Sequence, residues 1–144
     1  MPNTIKAFAS ATIGNIGPGF DVLGLAITGI GDYVEAKKAD SGVKITEITG
    51  ISKGLPLDAD KNTAGIAARE VLKLLNINEG VELKIHKNLP SGSGLGSSAA
   101  SAAASAFAVN ELFKGSLTKN DLILPATLAE EFVSGGFFAD NTAP

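Results

Sequence analysis

The sequence contains no cysteine and no tryptophan, and it has one histidine, His86, and one arginine, Arg69. Without cysteine there is no disulfide framework, which suits a reducing compartment such as the cytoplasm. With one histidine and no cysteine, the usual zinc sites are excluded. A Ser-His-Asp triad would have to use His86, and its charged neighbours favour a solvated position instead.

The composition of the 144 residues indicates one folded domain. Hydrophobic residues make up 44% and charged residues 19%, which argues against disorder. The net charge of −3 gives no electrostatic reason to expect nucleic acid. Residues 99–109 are the most apolar stretch, but serines interrupt it and it is too short for a bilayer, and residues 1–6 lack the apolar region of a signal peptide. We therefore expect a soluble cytoplasmic protein without a nucleic-acid or membrane partner.

Apolar patterning predicts strands and a turn along the first two thirds of the chain. The strands are expected at residues 4–11, 22–27, 33–38, 43–48 and 81–87, with a turn at 41–42. The continuous apolar run of the second of these predicts a strand buried on both faces.

Three helices are predicted by apolar stripes and alanine content. They cover residues 62–76, capped by Asp60 or Asn62, residues 97–113, and residues 118–133, which open with a capping box. Pro125 removes a backbone hydrogen bond from the last helix, which predicts a kink or two short helices.

The most informative stretch is residues 88–100, where three glycines at alternate positions separate a predicted strand from a helix. Ser97 and Ser98 would lie at the helix start, where free N–H groups and the positive dipole end favour a phosphate. A flexible turn is the alternative. The spacing fits neither a Walker-type loop, nor the dinucleotide fingerprint, nor a nucleophile elbow. Lys87, at the junction of strand and loop, would contact phosphate or be a surface lysine.

Residues 90–99, Pro-Ser-Gly-Ser-Gly-Leu-Gly-Ser-Ser-Ala, resemble the ATP loop of the GHMP kinases, which include galactokinase and the homoserine and mevalonate kinases. The resemblance implies that ATP is the cofactor and that Mg²⁺ is held by Ser98 and Glu130. Asn62 would border the adenine pocket as a weaker candidate. The implied ATP-binding residues of the loop are Pro90, Ser91, Gly92, Ser93, Gly94, Leu95, Gly96, Ser97, Ser98, Ala99 and Ala100.

Two further motifs are similar to those of the homoserine kinases within this family. Residues 15–24, Asn-Ile-Gly-Pro-Gly-Phe-Asp-Val-Leu-Gly, match the first motif, which implies that Asn15 and Asp21 belong to the amino-acid substrate site. Near the end of the chain, Glu130 precedes Asn141 at the separation of the last motif. That motif implies a catalytic set of Ser98, Glu130 and Asn141, in which Asn141 positions the substrate hydroxyl.

The last motif is not matched at every position. Phe138 stands where the family usually has a histidine that contacts the substrate, and Glu131 replaces a glycine. Asp140 is kept as a candidate substrate-binding residue. The change at Phe138 leaves open a different small alcohol as the substrate.

The resemblance implies an α+β fold of the ribosomal protein S5 domain 2-like type, with a mixed sheet packed against helices. Residues 1–144 would be the N-terminal, ATP-binding domain of an incomplete chain, with the C-terminal domain absent. The implied function is ATP-dependent phosphorylation of the hydroxyl of L-homoserine to O-phospho-L-homoserine, a step in threonine biosynthesis. The alternatives are a GHMP kinase for threonine, mevalonate or a sugar, and a non-catalytic S5-like binding module. The expected partner is a small-molecule substrate, and a homodimer is left open.

Overall fold

The computed structural model describes residues 3–144, in which alternating apolar residues form strands and alanine-rich stripes form helices. The strands are β1 (Thr4–Ile13), β2 (Leu25–Ala39), β3 (Val43–Gly50) and β4 (Gly80–Lys87). The helices are α1 (Thr63–Leu74), α2 (Ser97–Leu112) and α3 (Lys119–Ser134), with a 3₁₀ turn at Ala59–Lys61. The predicted α+β class is confirmed.

The four strands make one mixed sheet in the order β1-β2-β4-β3. β2 pairs antiparallel with β1 and with β4, whereas β3 and β4 are parallel. The parallel pair is connected through α1, as a parallel pair requires a crossover. This order brings the end of β4, where the loop before α2 begins, into the middle of the sheet.

The core lies between the sheet and the helices. Val34 and Ala36 of β2 and Val81, Leu83 and Ile85 of β4 are buried at alternate positions, so one face of each strand is inward. Against this face lies α2, whose small alanine side chains allow close approach to the strands and to the neighbouring helices α1 and α3. The central position of α2 fixes its N-terminus relative to β1, β4 and α3.

The strand predicted at residues 22–27 is correct only from Leu25 onward, and its predicted burial on both faces is wrong. Val22 is 77% exposed and lies in a turn, and β2 begins only at Leu25, which is itself 56% exposed. From there β2 runs without a break through residues 33–38, which had been expected as a separate strand. Val22, Leu23 and Leu25 are therefore exposed residues of a turn and a strand start, whereas Ile27 is partly buried against the core.

Of two other local predictions, one is confirmed and one needs correction. Residues 41–42 turn the chain between β2 and β3 as predicted, and β4 lies between these two strands in the sheet. Pro125 does not divide the last helix, which continues from Lys119 to Ser134. Within residues 3–144, no helix is long and apolar enough to cross a membrane.

Candidate functional site

The segment between β4 and α2, residues 88–96, is a bend of main chain anchored at both ends, and we call it the glycine loop. At its start, the Leu89 carbonyl accepts a hydrogen bond from Ser97 Oγ at 3.2 Å. Near its end, the Leu95 carbonyl accepts one from the Thr12 N–H of β1 at 3.1 Å. The middle of the loop is exposed. The anchors thus fix a stretch of backbone that remains open to a ligand.

Gly96 is the last residue before α2 and has a left-handed backbone with φ of 63°. A Cβ at this position would collide with Thr12 Oγ1, so conformation and space both require glycine. Because Gly96 has no side chain, it makes no capping hydrogen bond to the first N–H groups of α2. A helix N-terminus without a side-chain cap is well suited to an anion.

Ser98, in the first turn of α2, contacts Glu130 of α3. Ser98 Oγ donates a hydrogen bond to Glu130 Oε2 at 2.9 Å. The other carboxylate oxygen, Oε1, is buried and has no hydrogen-bond partner among the residues that the structure describes. Burial raises the pKa of Glu130, the Ser98 hydrogen bond and the Lys87 charge oppose this shift, and the charge of Asp140 adds to it.

The oxygen atoms of Ser98 and Glu130 fit the ligand preferences of Mg²⁺. This ion takes hard oxygen ligands and is commonly bound by one or two protein carboxylates together with phosphate and water. A buried carboxylate oxygen without a partner is costly unless it binds a donor or a cation. Residues 3–144 contain no group of three or more His, Cys, Asp or Glu that could hold a metal. The donor set therefore suits a cation that arrives with phosphate groups.

Asn141 is held beside the end of β1. The single hydroxyl hydrogen of Thr12 is shared between two acceptors of Asn141, the backbone carbonyl at 3.1 Å and the side-chain Oδ1 at 3.0 Å from Thr12 Oγ1. Gly14 approaches Asp140 so closely that a Cβ would collide with its carboxylate. Thr12 thus contacts both the glycine loop, through its backbone, and Asn141, through its hydroxyl.

A cavity of about 570 Å³ lies between the glycine loop, α1, α3 and the segment after β1. The sequence-predicted site residues that line it are Asn15, Asn62, Ser91, Gly92, Ser93, Gly94, Gly96, Ser97, Ser98, Glu130 and Asn141. The structure therefore brings the loop, the Ser98–Glu130 pair and Asn141 together at one site.

The other sequence-predicted residues lie outside the lining of this cavity. They are Pro90, Leu95, Ala99, Ala100, Asp21 and Asp140. Ala99 and Ala100 are buried under the loop. Asp21 has a left-handed backbone, and its N–H donates to Asn15 Oδ1 at 2.7 Å. That bond links the two predicted substrate residues to each other.

Asn62 lines the cavity, but its side chain has structural partners. Its Oδ1 caps α1 by accepting from the Ala64 N–H at 3.1 Å, and its Nδ2 donates to the Pro56 carbonyl at 2.9 Å. Between the two caps considered from the sequence, Asn62 is therefore the one that caps α1. Its contact with a nucleotide stays a prediction.

Sequence reasoning missed Asp32, which is fully buried in β2. It forms an ion pair with Lys87, which is only 2% exposed. The sequence contained a signal for this burial. Asp32 is two residues from Val34 and Lys87 is two residues from Ile85, so each charged residue lies on the same face of its strand as a core residue. Burial lowers the pKa of Lys87, whereas the hydrogen bond and charge of Asp32 raise it. Lys87 is thus neither a surface lysine nor an unpaired cation.

Comparisons with known proteins identify the family of the chain. The family model described as "GHMP kinases N terminal domain" matches residues 62–143. A homoserine kinase of Chlorobaculum tepidum is 44% identical over 98% of this chain and 47% of its own length. One of Arabidopsis thaliana is 49% identical over 98% of this chain and 39% of its own length.

The fold comparison gives a similar result. The crystal structure of homoserine kinase from Cytophaga hutchinsonii has a TM-score of 0.93 and 45% identity, covering 100% of this chain and 46% of that one. The chain spans about half the length of the curated relatives that it matches.

Proposed function

The chain belongs to the family of GHMP kinase N-terminal domains, and we propose that its glycine loop holds the phosphates of ATP for transfer to a small alcohol. The observation that carries the proposal is the Ser98–Glu130 pair: both residues line the cavity that the loop also lines, and Glu130 Oε1 is buried with no hydrogen-bond partner among residues 3–144. Phosphoryl transfer depends on positioning and charge stabilisation more than on covalent chemistry. A fixed backbone loop and a helix N-terminus supply such stabilisation.

In this proposal Ser98 and Glu130 bind Mg²⁺. A bound Mg²⁺ would neutralise charge on the phosphate oxygens. The Ser98 hydroxyl contributes an oxygen from the start of α2, and Glu130 contributes its carboxylate from α3. Because the residues come from two helices, their relative position depends on the packing of α2 against α3.

We propose L-homoserine as the alcohol, with O-phospho-L-homoserine as the product of a step in threonine biosynthesis. Support comes from the relatives named homoserine kinase at 44% and 49% identity across nearly the whole chain. Asn141 would position the substrate hydroxyl at the cavity wall, and Asn15 would contact the amino acid. Asp21 and Asp140 stay candidates for the same substrate site. Asp21 is hydrogen-bonded to Asn15, and Asp140 is hydrogen-bonded to Asn141.

The 144 residues would act as the nucleotide-binding domain of a two-domain cytoplasmic kinase. This part of the proposal rests on the relatives, which are about twice as long as the stretch they share with the chain. The second domain would supply further substrate contacts. A homodimer stays a prediction that the mass of the protein in solution would decide.

The test is product formation by the full-length protein with MgATP and each of L-homoserine, L-threonine, mevalonate and galactose. We expect O-phosphohomoserine as the preferred product by kcat/KM. Preference for another of these alcohols would replace homoserine, in line with Phe138 at the position of the usual histidine. Absence of transfer to all four, together with thermal stabilisation by RNA and not by MgATP, would favour the binding-module alternative.

A further inference from the structure

We propose that Asp32 and Lys87 are positioning residues that set the shape of the glycine loop by bonding to the backbone at both of its ends. The inference rests on the proposed binding of ATP phosphates by this loop. It assigns a function to a buried charge pair of which one member, Lys87, also lines the cavity.

Asp32 holds the start of the loop. Its Oδ1 accepts hydrogen bonds from the backbone N–H groups of Asn88 at 2.8 Å and of Leu89 at 3.0 Å. The Asn88 side chain adds a bond to the Gly31 carbonyl at 3.0 Å. Hydrogen bonds to an ionised carboxylate are stronger than those between neutral groups. The direction in which the chain leaves β4 is therefore fixed by one carboxylate oxygen of β2.

Lys87 holds the end of the loop. Its Nζ bonds to Asp32 Oδ2, and it also donates to the Ser97 carbonyl at 2.6 Å and to Ser101 Oγ at 2.7 Å. Ser97 and Ser101 belong to the first turns of α2. Through Lys87 the carboxylate that fixes the start of the loop also fixes the helix N-terminus at its end.

The hydrogen-bond partners of Asp32 and Lys87 indicate that the pair positions the loop and does not only stabilise the fold. A buried ion pair is weak support for stability, because its desolvation cost cancels much of the attraction and apolar replacements often do as well. Here the pair directs three of its bonds to main-chain atoms of residues 88, 89 and 97. An apolar pair of the same size would fill the same space, but it would make no hydrogen bonds to these backbone groups and so would not fix their orientation.

The main test compares the double variant Asp32→Leu/Lys87→Met, which removes the carboxylate oxygen that accepts from the Asn88 and Leu89 N–H groups, with the control Glu47→Leu/Lys84→Met. The control removes an exposed ion pair from β3 and β4, with charges 3.5 Å apart. The readouts are the Kd of MgATP from calorimetric titration, amide hydrogen exchange at residues 88–98, and kcat against KM in the full-length protein. The double change is chosen because a single one would leave an uncompensated buried charge.

For the double variant we expect a Kd for MgATP raised about tenfold, equivalent to about 1.4 kcal/mol. Exchange at the Asn88 and Leu89 amides should be faster, and the KM for MgATP should rise while the KM for homoserine stays unchanged. A lower melting temperature with unchanged Kd and exchange, as for a purely structural pair, would overturn the inference. Failure of the unaltered protein to bind MgATP would instead contradict the proposed function.

A second pair of variants keeps the test decisive if the double variant does not fold. Ser101→Ala removes a partner of Lys87, whereas Ser105→Ala removes a buried hydroxyl of the same helix that donates to the Ala64 carbonyl at 2.7 Å. We expect Ser101→Ala to weaken MgATP binding about threefold and Ser105→Ala to leave it unchanged. Equal effects of the two substitutions would overturn the inference.

Discussion

At the scale of single residues, Glu130 is the one whose buried carboxylate most directly determines whether the cavity binds a cation. Because burial raises its pKa above 4.5, the folded protein retains a proton that the unfolded chain releases. The stabilisation that the raised pKa of Glu130 adds to the free energy of unfolding is therefore fully present below pH 4.5 and is lost as pH rises through the folded-state pKa. Without Mg²⁺, Glu130→Gln should melt at a higher temperature than the unaltered protein near neutral pH, and the difference should shrink toward pH 4.

The matched control for this prediction is Glu131→Gln, which removes the same charge from an exposed neighbour on α3. Thermal melts of the three proteins between pH 4 and pH 8 give the comparison. A stability of Glu130→Gln that falls relative to the unaltered protein as pH rises would contradict the sign of the pKa shift. Addition of MgATP should favour the unaltered protein, because glutamine carries no charge for the cation.

Gly96 provides a second residue-scale prediction, since its left-handed backbone and its contact with Thr12 both exclude a side chain. Gly96→Ala should lower the free energy of unfolding by about 2 kcal/mol or more, from strain and overpacking together. Gly94→Ala shares the positive φ but has open space around it, so about 1 kcal/mol is expected. Urea unfolding measures both, and equal losses would show that contact with Thr12 is unimportant.

The sequence allowed some of these residues to be predicted and not others. Ser98 and Glu130 could be paired in advance because the motifs at 90–99 and 130–141 resemble those of a known family. Their hydrogen bond agrees with that pairing. Asp32 belongs to no recognised motif, and only its alternation with Val34 would have marked it as inward. In a strand, a charged residue that alternates in step with core residues indicates a buried charge that needs a partner.

At the scale of elements, α3 matters because it carries Glu130, and its start is fixed by a complete capping box. Thr118 Oγ1 accepts from the Asp121 N–H, and the Asp121 carboxylate accepts from the Thr118 N–H. Thr118→Ala should lower the free energy of unfolding by about 1 kcal/mol, because the helix loses this cap. Thr118→Ser keeps the hydroxyl and should lose much less, and equal destabilisation of the two variants in urea would contradict the capping role.

The strands show why elements were easier to predict than their arrangement. Alternation at residues 81–87 depends on local pattern alone, and β4 forms there as expected. The insertion of β4 between β2 and β3 depends on pairing between distant segments, which no local pattern encodes. The apolar residues near Val22 misled the prediction for a related reason, because hydrophobicity does not by itself indicate burial.

At the scale of the whole molecule, α2 connects the core to the site. It packs against β1, β2, α1 and α3, and its N-terminus forms one wall of the cavity. The site is thus assembled from segments far apart in sequence, including Thr12, Asp32, Ser98, Glu130 and Asn141. Binding of a nucleotide should consequently stabilise the whole fold, as ligands that bind only the native state do.

The most direct test of the central claim is a calorimetric titration of ATP into the chain, with Mg²⁺ and with EDTA, for the unaltered protein and for Glu130→Gln. We predict one saturable site in the unaltered protein that is about tenfold tighter with Mg²⁺. In Glu130→Gln we predict that this dependence on Mg²⁺ is lost. Absence of ATP binding, or an affinity that Mg²⁺ changes equally in both proteins, would contradict the claim that the glycine loop and the Ser98–Glu130 pair form a site for MgATP.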